Sequence, residues 1–454
     1  MSHTSPMVAR FHESRASTYS RQLPITPVEA RGSYVRDAGG RWYLDCLAGA
    51  GALALGHNHP AIDEALRRTL ASGEPLLTLD FHTPTREAFV EDLLATLPPG
   101  LANDCVVHLC SPSGANAVEA ALTLAEIATG GSEHVAVQGG FHGCSRTARA
   151  VSSGGNLRRQ PVALPTAVHF LPYPQDYRSP FGVAGPDGVD RGIDAIDNLF
   201  GSPHSGLVAP ASVLAEFVLG EGGVIPAAPA WARALRNAAT DAGVPLIADE
   251  VQAGVYRTGR PWAFEHCGIE PDMIAISKGL GSGLPIAVLV VRRRFNVWGP
   301  GAFTGTFRGN ALAFAAASAV LRYARREGLD THVTAMGQRL CRGLDAVAGA
   351  CDVVGDVRGI GLMVGAEIVD PFDGAPDAGP CAPSAALAER IQAECLASGL
   401  IVEIGGSHGN VVRFLPPLTI SASEVDAAVD IFGTAVERVQ HATFLDRVMD
   451  TETA

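Results

Sequence analysis

The sequence predicts a doubly wound, mostly parallel α/β sheet with a smaller α+β unit attached. Three observations predict it. Short continuous apolar runs alternate with Ala-rich amphipathic stretches between about residues 65 and 325, the pattern of strands buried on both faces beneath covering helices. Beyond 325 the pattern changes to alternating strand-like runs mixed with helices. Near the start, Gly32 to Leu47 carries the turn Asp37-Ala38-Gly39-Gly40 between two short apolar runs, which reads as a hairpin.

The elements follow in order. Strands are expected at Val106 to Leu109, His134 to Val137, Val213 to Leu219, Val244 to Ala248, Met273 to Ile276 and Ile286 to Val291. Helical periodicity fills Ala115 to Ala128 and Trp231 to Ala242, and a helix-rich stretch from Asn310 to Arg325 leads out of the sheet. In the last third, Asp352 to Glu367 and Leu400 to Leu415 alternate like strands, with helices around 384–398 and 422–438. Pro371 to Ser384 is a surface loop by composition. These patterns divide the chain into 1–65, an N-terminal segment, 66–325, the large domain, and 326–454, a smaller C-terminal α+β unit.

Composition narrows the function. The 454 residues would make about three domains at roughly 150 residues each. With 47% hydrophobic and 18% charged residues the chain can bury a large core. Lys and Arg number 34 against 47 Asp and Glu, a net charge of −13. That balance argues against nucleic acid or an anionic membrane as the main partner. The longest apolar runs, Leu284 to Val291 and Ala311 to Leu321, fall short of the ~18 residues of a membrane span. Met1 to Gln22 shows no apolar leader. Nine cysteines without a CxxC pair argue for reduced thiols and the cytoplasm.

Four clusters carry chemistry. Ser111-Pro112-Ser113-Gly114-Ala115-Asn116 follows a strand and opens a helix, a place where backbone N–H groups can hold a phosphate, or simply a cap. Asp249 and Glu250 end an apolar strand, at the edge where open α/β sheets bind ligands. Lys278, in Ser277-Lys278-Gly279, ends the next strand; lysine is the amine used for Schiff bases, and burial frees it by lowering its pKa. Here the glycine follows the lysine, the reverse of a P-loop. Thr304 to Asn310 could offer donors to an anion or be a capped loop.

In order, SPSGANAVEAA, GGFHG, GEGGVIP, IADEVQ, SKG and TFRGN resemble the class III aminotransferases, fold type I enzymes that use pyridoxal 5′-phosphate (PLP), from about Tyr19 to Leu418. YSRQLP, GHNHP, LDFHTPTREAFVEDLL, FLPYP, GTFRGN and VVRFLPPL resemble the diaminobutyrate–2-oxoglutarate branch. The resemblance implies that Lys278 carries the cofactor and that Asp249 pairs with its pyridine nitrogen. A pair at ~4 Å and an effective dielectric near 20 gains about 4 kcal/mol, roughly three pKa units. It further implies Phe141 stacked on the ring with His142 beside it. Gln252 would bond the phenolic oxygen, and Val251 would pack under the other face. Ser113, Gly114 and Ala115 would hold the phosphate, and Glu216 would support the site. Thr306 would reach the phosphate of a neighbouring subunit, which requires a homodimer. Arg413 would bind the α-carboxylate of 2-oxoglutarate or glutamate bidentately, and Glu221 would mask it when the donor offers no carboxylate there.

The expected reaction is transfer of the terminal amine of L-2,4-diaminobutyrate to 2-oxoglutarate. The alternatives are another donor (ornithine, 4-aminobutyrate, lysine or a specialised amine), a PLP aminomutase or epimerase, or a PLP-binding subunit without turnover. Leu55, Leu219, Ala253 and Phe303 depart from residues usual in the family, which bears on donor choice. Arg308 has either a substrate contact or a structural role. His57 and His59 lack a third ligand at metal spacing and read as a turn before a helix, so no metal site is expected.

Overall fold

A computed structural model describes residues 12–154, 162–371 and 380–452. Its centre is a seven-stranded sheet in the spatial order Cys105–Leu109, Val288–Arg292, Met273–Ile276, Leu246–Asp249, Pro210–Ala215, Glu133–Val137, Ala167–Leu171. Val288–Arg292 runs antiparallel to both neighbours and the other pairings are parallel.

Alternate side chains of the same strands enter two apolar layers. Leu214, Ile247, Ala275 and Leu289 face one side with Ala117, Ala120, Ala121 and Ala125 of the helix Gly114–Thr129. Those alanines are fully buried, and their small side chains let the helix lie close against the sheet. Val213, Leu246, Ala248, Ile274 and Val290 face the other side, toward helices that include Pro229–Asp241 and Ala311–Arg326. Burial on both faces explains why these strands read as continuous apolar runs.

The chain ends share a second region. Pro27–Arg31, Tyr34–Asp37 and Trp42–Asp45 form an antiparallel meander that Leu400–Ile401 joins in parallel. The expected turn joins its second and third strands. A five-stranded sheet holds Val354–Ile360, Met363–Asp370, Val411–Phe414 and Glu403–Gly405, with Ala382–Pro383 on its edge. The helices Leu329–Ala350, Ala385–Ala397 and Ala422–Glu452 accompany it.

Some expectations shift. The run Val213 to Leu219 is two strands, Pro210–Ala215 and Val218–Leu219, separated where the Glu216 carboxylate accepts the Phe141 and Gly220 N–H groups. Val244 lies outside its strand because its N–H closes the preceding helix on the Ala239 carbonyl. Most of the loop from Pro371 to Ser384, and Met1 to Phe11 of the N-terminal segment, lie outside the described residues.

Candidate active site

Five strand ends open at one edge of the large sheet. Cys105–Leu109, Glu133–Val137, Pro210–Ala215, Leu246–Asp249 and Met273–Ile276 run in the same direction, and such sheets bind ligands beyond their carboxyl ends. The segments that follow bring together Ser113, Gly114, Ala115, Phe141, His142, Glu216, Asp249, Val251, Gln252 and Lys278. With Glu221 they line a cavity of about 430 Å³.

Of the adjacent acids Asp249 and Glu250, Asp249 is the one that lines this cavity. One carboxylate oxygen lies 2.7 Å from His142 Nδ1 and the other accepts the Val251 N–H at 3.0 Å. Glu250 turns away and accepts the Ala263 and Phe264 N–H groups at 2.9 and 3.0 Å. Burial pushes its carboxyl up to about 8. Burial also lowers His142, but the hydrogen bond and charge of Asp249 outweigh it and raise the imidazole above its ordinary value. Glu216 is pushed up to about 7 by burial and by Asp249, against the pull of His142.

Lys278 begins a short 3-10 turn with φ +34°, a backbone region costly for a residue with a Cβ. Such strain persists only where the surroundings fix it, and it clusters at functional sites. Burial and the positive charge of Arg413 lower the amine's pKa, with Glu221 and Glu403 opposing.

Arg413 lies behind the cavity on the strand Val411–Phe414 and is fully buried. Its Nη2 stands 2.8 Å from Glu221 Oε1 and 2.8 Å from Glu403 Oε2. Nη1 is 3.5 Å from Gln252 Oε1. A Cβ at Gly405 would stand 2.5 Å from Arg413 Nε, so glycine there makes room for the guanidinium. Burial pushes Glu221 up, but Arg413 and Lys278 outweigh it and hold this carboxyl below its usual range.

Residues 16–436 match the family model of class III aminotransferases. A diaminobutyrate–2-oxoglutarate aminotransferase of Rhizobium meliloti (strain 1021) is 45% identical over 94% of this chain and 91% of that protein. Its namesake in Haemophilus influenzae is 41% identical over 93% of each. An amine transaminase from an uncultivated Pseudomonas species, solved in its PLP-bound form, superposes with a TM-score of 0.84 at 26% identity, covering 97% of this chain and 99% of that one.

The chain belongs to the class III aminotransferases. Pyridoxal 5′-phosphate is the cofactor of this aminotransferase, and the cavity suits it. His142 Nε2 is buried without a hydrogen-bond partner among the described residues, on the ring that braces Asp249. No hydrogen bond among the described residues ties up the Lys278 amine. Ser113 caps the 16-residue helix Gly114–Thr129 with no side-chain hydrogen bond, leaving the first N–H groups available to an anion. A Cβ at Gly114 would stand 2.8 Å from Val251 Cγ1, so only glycine keeps that backbone against the wall.

Thr306 is not brought into the cavity; it opens an exposed 3-10 turn, Thr306–Arg308. Arg308 is tied to Asp80 and to Thr304 Oγ1, both at 2.8 Å, a structural use of its charge. Phe303 stacks on Trp298, and Leu219 is buried. His57 pairs with Asp45 at 2.8 Å, and His59 caps the helix Pro60–Ser72.

Glu403 and Tyr19 were not among the residues singled out. Glu403 lies directly across the ladder from Arg413, and the Tyr19 hydroxyl donates to Glu403 Oε1 at 2.6 Å. A signal existed for each. Glu403 is a carboxylate in an otherwise apolar alternating run, and Tyr19 sits inside the YSRQLP motif.

Proposed function

We propose that this aminotransferase moves the 4-amino group of L-2,4-diaminobutyrate to 2-oxoglutarate, yielding L-aspartate 4-semialdehyde and L-glutamate. The observation that carries the reading is the buried Arg413, held by Glu221 at 2.8 Å beside the Lys278 cavity. One site must take a terminal amine that has no carboxylate on the reacting carbon, then a dicarboxylate that has one. An arginine neutralised by a carboxylate meets both needs, because Glu221, which also lines the cavity, can stay for the first substrate and yield to the second. The relatives named for this reaction support the choice of donor.

In this reading Asp249, braced by His142, holds positive charge at the inner end of the cavity. Bound PLP supplies an electron sink for negative charge developing on the substrate carbon. The Lys278 amine, made less basic by burial, would take a proton from that carbon and return it to the carbon on the far side of the nitrogen, a 1,3 shift. Phe141 and Val251 wall the cavity on either side and keep water out. The N–H groups that follow Ser113 would hold the cofactor's phosphate.

We also infer a homodimer. Leu76, Leu77, Leu79, Phe81 and Phe307 are exposed. They form one surface, because Leu77 pairs with Asn310 and the Thr78 N–H donates to the Gly309 carbonyl at 3.0 Å. Clustered exposed apolar residues mark association surfaces. Thr306 lies in the same surface and would complete the phosphate site of the other subunit. All nine cysteines are free thiols, which supports a reducing compartment such as the cytoplasm.

The test is steady-state production of L-glutamate and aspartate semialdehyde by the wild type and by Arg413→Ala. The variant should raise the KM for 2-oxoglutarate at least about tenfold more than that for the diamine, the loss of a charge-assisted bidentate contact. Equal changes in both would refute the selective role of Arg413.

A further inference from the structure

The charge around Arg413 exceeds what masking requires. One guanidinium needs one carboxylate, yet Nη2 stands 2.8 Å from both Glu221 and Glu403. With both acids ionised the three charges sum to −1; the Glu221 side chain is 36% exposed and reaches solvent, whereas Arg413 and Glu403 are buried, and a buried carboxylate favours a cation or hydrogen-bond donors beside it.

Glu403 has the capacity to meet one. Its residue is 7% exposed, and its position is fixed by the ladder pairing with Arg413 and by the Tyr19 hydroxyl on Oε1. Oε2 touches the guanidinium but has no donor aimed at it, so it keeps acceptor capacity. Tyr19, which donates to Glu403, is 46% exposed. Glu403 and Glu221 meet at the same Arg413 Nη2, and Glu221 lines the Lys278 cavity, so Glu403 stands one guanidinium away from the space a small substrate would fill.

We propose that Glu403, held by Tyr19, selects the amino donor by accepting a hydrogen bond from the α-ammonium of a 2,4-diamino acid whose terminal amine lies at Lys278. This rests on the proposed diaminobutyrate reaction. L-2,4-Diaminobutyrate and 4-aminobutyrate share the spacing from reacting amine to carboxylate and differ only in that ammonium. An anionic acceptor favours the first, and hydrogen bonds to charged groups discriminate by at least about tenfold. Glu221 then need only mask Arg413, while Glu403 reads the donor.

The experiment measures kcat and KM of the holoenzyme for diaminobutyrate, 4-aminobutyrate and 2-oxoglutarate in the wild type, Glu403→Gln and Tyr19→Phe. In Glu403→Gln the ratio of kcat/KM for diaminobutyrate over 4-aminobutyrate should fall at least about tenfold. That fall should come through the diaminobutyrate KM, with the KM for 2-oxoglutarate unchanged or lower. Tyr19→Phe, which removes one hydroxyl from a half-exposed side chain, should shift the ratio in the same direction by less. Parallel losses for both donors and the 2-oxo acid would overturn the proposal, since they would mean that Glu403 only braces Arg413. An unchanged ratio would overturn it too, and if Glu403→Gln does not fold, the ratio in Tyr19→Phe decides. A wild type active on other amines but inert to diaminobutyrate would overturn the reaction itself. A wild type active on diaminobutyrate with an unmoved ratio strikes only the role of Glu403.

Discussion

His142 and Asp249 meet at 2.7 Å in a closed interior, and their chemistry depends on each other. Burial alone lowers His142, and Asp249 reverses the sign. A histidine raised in the folded state contributes stability that is fully present below the unfolded value of about 6.5 and lost as pH rises through the folded value. In the apoenzyme, NMR should therefore show His142 titrating above its ordinary value. In Asp249→Asn burial prevails, and the titration should fall below about 6.5; a midpoint that does not move would contradict the pairing. Lys278 and Asp249 were legible in the sequence because each ends an apolar strand at a ligand-binding edge. The second carboxylate on Arg413 left only a local trace, and its pairing did not show: Glu403 meets Arg413 through the strand register, and Tyr19, 384 positions from Glu403, reaches it only once the chain is folded. Likewise, that Glu250 faces away from the cavity while Asp249 faces in follows from strand alternation, which adjacency in sequence leaves open.

Among the elements, the helix Ala311–Arg326 is tied to the preceding loop, 304–309, by its cap. The Asn310 side chain accepts the Ala313 N–H at 3.0 Å, and the backbone just before it carries Thr306 and Arg308. Asn310→Ala should cost about 1 kcal/mol of stability, read as a lowered unfolding midpoint, while Asn310→Asp should cost less. Equal losses would show that the cap is not what matters there. This helix, like Gly114–Thr129, was legible from its apolar periodicity. Ala167–Leu171 escaped because His169 interrupts its apolar run at the sheet edge, where it pairs with Glu133 at 3.1 Å. The break at Glu216 escaped for another reason: nothing local reveals that a carboxylate in an apolar run will turn to the Phe141 and Gly220 N–H groups.

At the scale of the whole molecule, the apolar surface around Phe81 and Phe307, 71% and 64% exposed, argues for a second copy. Sedimentation should show a dimer, and Phe307→Glu should shift it toward monomer with loss of bound PLP. A monomer retaining full PLP occupancy would contradict a phosphate site shared between subunits. The central claim is that one cavity takes the diamine and then the dicarboxylate. It is tested most directly by following cofactor absorbance in the purified PLP-form enzyme as L-2,4-diaminobutyrate is added without any 2-oxo acid, with ornithine and 4-aminobutyrate in parallel. Diaminobutyrate should bleach the band with release of aspartate semialdehyde, and 2-oxoglutarate should restore it with release of glutamate. A band that diaminobutyrate leaves untouched while ornithine or 4-aminobutyrate bleaches it would contradict the account.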